Sequence, residues 1–254
     1  MNKLKLSEIK TIFENTDVKL LPDVIAEYSG DSRDGVRKLI AKFQNTYDKH
    51  IQELIRLEKI SEYEYKYRHC NYIAGVDEVG RGPLAGPVVT CAIILPKSEK
   101  IPYVNDSKKL SPKKREELYD VIMERALDVS IAMENADVID DINILQATLK
   151  AMAKSVNNLK YKPDVVLNDA VTIPGINIEQ VPIIKGDAKS ITIASASIIA
   201  KVTRDRLMEE YDKLYPEYEF ASNKGYGSPK HIEALKKYGP CPIHRMSFIK
   251  SFIQ

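Results

Sequence analysis

The chain has 254 residues, 44% hydrophobic and 29% charged, with a formal net charge of +2. That apolar content supports a sizeable core and excludes a disordered chain. The near balance of charge neither demands nor excludes a nucleic-acid partner, so any positive footprint has to be local.

Residues 1–70 contain Gly30 and Gly35 as their only glycines and carry 13 basic against 12 acidic side chains. Val36, Leu39, Ile40, Phe43 and Tyr47 recur at helical spacing, with Asp31 or Ser32 as the cap. Two or three helices are predicted, as an appended module that either packs on the main domain or reaches toward a substrate. A second domain is expected over 71–254. There "NYIAGV" and "GPVVTCAIILP" read as buried strands. "SPKKREELYDVIMERAL" opens a helix with Ser111 as N-cap and Pro112 in its first turn, and Leu118 and Ile122 share a face. "DVSIAM" alternates Val129, Ile131 and Met133 as the inner face of a half-buried strand. "NILQATLKAMAKSV" puts Leu145, Leu149 and Met152 on one stripe. "PDVVLND" and "VPIIKGD" are further strands. "SITIASASIIAKVTRDRLMEEYDKL" has small residues at 194–197 that suit a helix lying close on a sheet, with Ser190 as its cap. "SPKHIEALKKYG" is a last helix, stopped by Gly239. Clustered strands followed by alternation with helices predict a mixed α/β sheet covered by helices.

Cys70, Cys91 and Cys241 are odd in number and far apart, which fits reduced thiols rather than a disulfide framework or a zinc knuckle. The residues "MNKLKLSEIK" lack an apolar h-region, and runs such as "CAIIL" are too short to span a bilayer. A cytoplasmic protein is expected.

Asp77 and Glu78 follow "YIAGV", Asp169 follows "VVLN", and Asp187 follows "VPIIKG". Ligands of open α/β sheets collect at the carboxyl ends of strands. If these strands are neighbours, four carboxylates converge, and converged carboxylates repel unless a cation sits between them. An all-oxygen set selects Mg²⁺ or Mn²⁺. The histidines, His50, His69, His231 and His244, are scattered along the chain and form no competing cluster. Each acid taken singly is also an ordinary turn residue, and Asp205 reads as an ion-pair partner within a helix.

Gly80 and Gly82 flank Arg81. Bare main chain there can approach a ribose hydroxyl, the group that separates RNA from DNA, while Arg81 pairs with phosphate. A plain glycine turn with a solvated arginine accounts for the glycines equally well. Tyr226, between Gly225 and Gly227, is placed either to stack on a sugar or base or to anchor its loop. Lys108, Lys109, Lys113, Lys114 and Arg115 surround a helix N-terminus, which attracts phosphate. Lys185 and Lys189 flank Asp187. From residues alone, another metal-dependent phosphodiesterase and a non-catalytic nucleic-acid module stay open.

"GVDEVGRGPLAGPVVTCAIIL", "NDSKKLSPKKREELY", "KGDAKSITIASASIIAKVTRDR" and "GYGSPKHIEAL", in this order, resemble bacterial ribonuclease HII over roughly residues 71–250. The resemblance implies an RNase H-like fold, a mixed five-stranded sheet flanked by helices, with residues 1–70 as a helical extension outside the shared core. It implies a nuclease that cuts the RNA strand of RNA–DNA hybrids and nicks duplex DNA 5′ of embedded ribonucleotides. Asp77, Glu78, Asp169 and Asp187 match its acids, and two Mg²⁺ or Mn²⁺ ions are expected there. Gly80, Arg81 and Gly82 match its 2′-hydroxyl sensor and Tyr226 its stacking tyrosine. Lys108 falls in the segment near substrate phosphates. A monomer without a membrane partner is expected. The chain departs from the family's usual "VDG" or "VDA" at the third acid, where it reads "LNDA". Ribonuclease HIII usually lacks the glycine-arginine-glycine signature and matches less well.

Overall fold

The computed structural model describes residues 4–253. They fall into two compact units divided between Lys59 and Ile60. In the smaller, α1 (Leu6–Asn15), α2 (Leu21–Tyr28) and most of α3 (Asp34–Ile60) surround Ile9, Phe13, Leu21, Val36 and Phe43. The rings of Phe13 and Phe43 stack at 5.0 Å. The expected stripe of α3 is present: Leu39, Ile40 and Tyr47 pack on this core. The expected cap is not. Asp31 folds back on Arg33, accepting its amide at 3.0 Å and its Nη2 at 2.6 Å, and the helix begins at Asp34. With α4 (Glu62–Lys66), the described residues up to 70 hold four α-helices rather than two or three.

The larger unit is built on a five-stranded sheet of order β3-β2-β1-β4-β5. Its strands are β1 (Ile73–Val79), β2 (Val88–Ile94), β3 (Asp128–Glu134), β4 (Val165–Asp169) and β5 (Glu179–Ile183). The pairs β1–β2 and β2–β3 are antiparallel, whereas β1–β4 and β4–β5 are parallel. The remaining helices are α5 (Pro112–Arg125), α6 (Ala136–Asn157), α7 (Ile191–Leu214), α8 (Phe220–Asn223), α9 (Pro229–Tyr238) and α10 (Met246–Ile249). Every residue of β2 is buried, as a central strand covered on both faces requires. On one face Ala74, Val76, Ala92, Ile94 and Val166 pack on Met152 and Val156 of α6. On the other, Val165, Leu167 and Ile183 pack on Ile193 of α7.

The helix caps read from sequence are in place. Ser111, Ser190 and Ser228 accept from the amides of Lys114, Ile193 and His231, and Gly239 ends α9 at φ 76°. The small residues of α7 sit close on the sheet as expected: a Cβ on Gly75 of β1 would come within 2.5 Å of the Thr192 backbone.

Two faces differ from expectation. In β3 the inward residues are Asp128, Ser130, Ala132 and Glu134, while Met133 is exposed. The polar residues win because they have partners: Asp128 accepts the amides of Lys160 and Tyr161, and Glu134 pairs with Lys150 and Lys154 of α6. In α6 the backbone breaks at Asn143 (φ 67°), whose side chain caps the amides of Leu145 and Gln146. This rotates the stripe, so Leu145 is exposed and Ala147, Ala151, Met152 and Val156 face the sheet. No helix among the described residues is long and apolar enough to cross a membrane.

Candidate active site

Strands β1 and β4 run parallel in neighbouring positions, with Val76 opposite Asn168. Asp77 and Asp169 therefore stand side by side at the next step. Asp169 is the last residue of β4, as expected. Asp77 and Glu78 do not end β1, because pairing with Cys91 and Thr90 of β2 carries the strand on to Val79. Asp187 lies beyond β5 on a 3₁₀ turn (Gly186–Ala188) entered through a left-handed Lys185 at φ 58°. The Gly186 amide donates to Asp169 Oδ1 at 2.8 Å and so ties this turn to β4.

The acids sense one another. Burial raises the Asp77 carboxyl well above the usual range; the charges of Glu78 and Asp169 add to this, and a hydrogen bond from Ser197 opposes it. Glu78 is also raised by burial and by Asp169, against the pull of Arg81, whose Nη1 is 3.5 Å from Glu78 Oε1. Asp187 is raised by burial, then by Asp106 and Asp169, with Lys108 opposing. The donors are all carboxylate oxygens, the kind that hard divalent cations take. Among the described residues no three His, Cys, Asp or Glu side chains stand close enough to enclose an ion as they are. The set therefore fits such an ion in the chemistry of its donors, without forming a closed cage for it.

Asn168, the departure next to the third acid, points away from it. Its amide donates to Val171 O at 3.1 Å and Gln180 Oε1 at 3.0 Å. Lys108 is exposed on the 3₁₀ turn Ser107–Lys109, capped by Asp106. Asp106, which the sequence reading passed over, hydrogen-bonds Asp187. Ser107 Oγ is 2.9 Å from Ser197 Oγ, so the lysine-bearing turn connects through α7 to Asp77. Arg115 is not part of the basic surface: Nη1 donates to Ser107 O and Leu110 O at 2.9 and 2.7 Å. Asp205 pairs with Lys201 at 2.6 Å and Arg115 at 3.8 Å, as read.

Gly80, Arg81 and Gly82 follow β1 directly. Gly82 is open: a Cβ there would touch only the Tyr226 ring, at 3.8 Å. Tyr226 is 46% exposed, and its loop is stapled to the glycine loop by Leu84 N donating to Gly225 O at 2.8 Å. Gly80 has another reason to be glycine. Its φ is +91°, and a Cβ would lie 2.3 Å from Arg204 Nε and 2.8 Å from Pro87 O. The carbonyls of Gly80 and Arg81 are also taken, by Arg245 Nη2 at 2.5 Å and Nη1 at 2.9 Å. The expected exposed carbonyls are thus committed internally. The amides of Arg81 and Gly82 have no acceptor among the described residues.

Arg204 and Arg245 are fully buried, and neither forms a salt bridge with a carboxylate among the described residues. Burial lowers them to about 10 and about 9, still charged near neutrality. Arg204 at least was readable, since it shares a helical face with Ser197, Ala200 and Met208. Arg245 sits in no periodic segment and gave no signal. Two of the scattered histidines also meet, His231 Nε2 lying 3.0 Å from His244 Nε2. Cys70, Cys91 and Cys241 are free thiols.

The sheet order and its flanking helices define the ribonuclease H-like fold. A ribonuclease H2 structure from Pyrococcus horikoshii matches it with a TM-score of 0.61 and 30% identity, over 72% of this chain and 97% of that one. The family model described as ribonuclease HII matches residues 74–251, and that of its N-terminal domain matches 5–68. The chain belongs to the ribonuclease HII family. It is 57% identical over 248 residues to ribonuclease HII of Lachnoclostridium phytofermentans, covering 98% of both, and 50% identical over 255 residues to that of Clostridioides difficile, covering 100% of both.

Proposed function

We propose that this enzyme hydrolyses the RNA strand of RNA–DNA hybrids and nicks duplex DNA on the 5′ side of an embedded ribonucleotide, leaving 3′-hydroxyl and 5′-phosphate ends. One observation carries the reading. At the carboxyl edge of two paired parallel strands, Asp169 lies near enough to raise the carboxyls of Asp77 and Glu78, directly before a loop with open amides. Asp77, Glu78 and Asp169 would hold one Mg²⁺ or Mn²⁺, and Asp187 would help hold a second. Such ions, when bound, supply charge neutralisation at the phosphate and a water acidic enough to attack it near neutral pH.

The chain's own residues do the rest. Ser197 donates to Asp77 and the Gly186 amide to Asp169, so one oxygen of each carboxylate is oriented before any cation arrives. The Arg81 and Gly82 amides donate to the 2′-hydroxyl of the ribonucleotide, and the Tyr226 ring stacks beside it. Arg81, exposed and only loosely paired with Glu78, is free to turn toward a phosphate. Lys108 meets the strand's backbone further along. The test uses three labelled duplexes, with one ribonucleotide, with an RNA strand, and all DNA, each in Mg²⁺ or EDTA. Cleavage of the first two in Mg²⁺ alone is expected. Equal cleavage of the all-DNA duplex would replace the proposal with a DNA nuclease, and EDTA-insensitive binding without product would replace it with a binding module.

A further inference from the structure

The two loops that read the sugar in the proposed function are held by one short segment that no catalytic residue occupies. His244 and Arg245 are adjacent, and each braces a different loop. Arg245 donates four hydrogen bonds to carbonyls of the glycine loop: Nη2 to Gly80 O and Gly86 O at 2.5 and 2.8 Å, Nη1 to Arg81 O at 2.9 Å, and Nε to Gly86 O at 3.0 Å. Its own backbone amide donates to Leu84 O at 2.9 Å. A planar guanidinium reaches three carbonyls at fixed angles, which an ammonium on a flexible stem does not.

His244 braces the tyrosine loop through His231. The Tyr226 carbonyl only accepts, so the 2.8 Å contact from His231 Nδ1 makes that nitrogen the donor. In a neutral ring His231 Nε2 is then an acceptor, and His244 Nε2 donates to it across 3.0 Å. His244 Nδ1 is left to accept the Cys241 amide at 2.9 Å. The chain of bonds is complete with both rings neutral. Burial favours that state, lowering His231 and, together with the charge of His231, His244.

We propose that Arg245 is a specificity-determining positioning residue, with the His231–His244 pair as its counterpart: together they set the spacing between the Gly82 main chain and the Tyr226 ring into which the 2′-hydroxyl is fitted. This rests on the 2′-hydroxyl reading of the glycine loop. Arg245 touches neither substrate nor reacting atoms. It acts by turning the Gly80 and Arg81 carbonyls inward, which leaves the following amides facing out.

The experiment measures binding in Ca²⁺, an oxygen-seeking ion of different size and geometry from Mg²⁺. Fluorescence anisotropy compares a DNA duplex carrying one ribonucleotide with the same duplex all in DNA. Wild type is expected to prefer the first. Arg245→Lys keeps the charge but loses the fork, and the preference should fall about tenfold, as expected for losing charge-assisted hydrogen bonds that hold a site in shape. Its affinity for the all-DNA duplex should stay within about twofold, because phosphate contacts elsewhere supply it. An unfolded fraction lowers the amplitude for both duplexes and leaves their ratio unchanged. His244→Asn, which keeps an acceptor near the Cys241 amide and drops the donor to His231, should reduce the preference about threefold, one neutral hydrogen bond. Amide exchange should rise in 79–88 for the first variant and 223–228 for the second. If wild type prefers ribose and both variants keep that preference in full, the inference is wrong and the reading of the loop stands. If wild type binds both duplexes equally, the reading itself falls and the inference with it.

Discussion

Two regions a few residues apart along the same chain are built on opposite electrostatic plans. At the strand edge, Asp77, Glu78, Asp169 and Asp187 press like charges together, and burial compounds the repulsion. Against the loop that follows, Arg204 of α7 and Arg245 are buried as completely as any apolar side chain. Yet Arg245 has four carbonyl contacts and Arg204 three, to Pro87 O, Ala85 O and Lys224 O at 2.8–3.0 Å. Buried charge is tolerated where it is hydrogen-bonded and costly where it is not. In the proposed reading a cation completes the first region; the second is complete in the protein alone.

The most forceful way to break this contrast is to remove a charge from the first region. Asp77→Asn or Asp169→Asn should cut cleavage by roughly a thousandfold or more, several kcal/mol of lost charge stabilisation. Asp77→Asn should at the same time raise the melting temperature in EDTA. The ionised acid has a folded-state pKa above its unfolded value, so at neutral pH its charge opposes folding. A variant that melts lower with full activity would contradict both halves. Next, Mg²⁺ should raise the melting temperature of wild type by mass action and raise that of Asp77→Asn much less, read by scanning calorimetry. Tyr226→Ala should lower kcat/KM for a single embedded ribonucleotide about tenfold, a stacking loss of ~1–3 kcal/mol, with a smaller effect on long hybrids.

The smallest effect separates the regions by the sign of their pH dependence. His244 is lowered to about 4 by burial and by His231, so the unfolded chain takes up its proton first. The stability this neutral histidine represents is present above about pH 6.5, the ordinary histidine value, and is lost as pH falls toward 4. The raised acids act in reverse, and relief of their repulsion stabilises the fold as pH falls. Melting curves in EDTA should therefore show less acid sensitivity in His244→Asn than in wild type, and more in Asp77→Asn.

What could be read in the chain divides along the same line. Strand positions, serine caps and the acids at the sheet edge are local signals, and the parallel neighbours β1 and β4 bring Asp77 and Asp169 together as strand-end ligands require. The inner face of β3 was misread because alternation ranks Val129, Ile131 and Met133 by hydrophobicity alone. Partners 16 to 33 residues away decided instead for Asp128 and Glu134. The glycine of Gly80 was legible as a backbone need, but its cause was not. The nearest atoms that crowd it belong to Arg204, more than a hundred residues on. Arg204 lies on the buried stripe of α7 and could be found from that spacing, whereas Arg245 and the neutral histidine pair sit in no periodic pattern, so nothing in their neighbourhoods announced them.

Gly75 and Asp77 lie two residues apart on β1 and thus on one face of the sheet. The absent side chain at Gly75 admits the first turn of α7, whose Thr192 backbone carbon would sit 2.5 Å from a methyl there. Ser197 reaches Asp77 from the next turns of that helix. A single added carbon at Gly75 would work as a wedge between helix and sheet, and the harm would surface at the carboxylate, as a hydroxyl lifted out of reach.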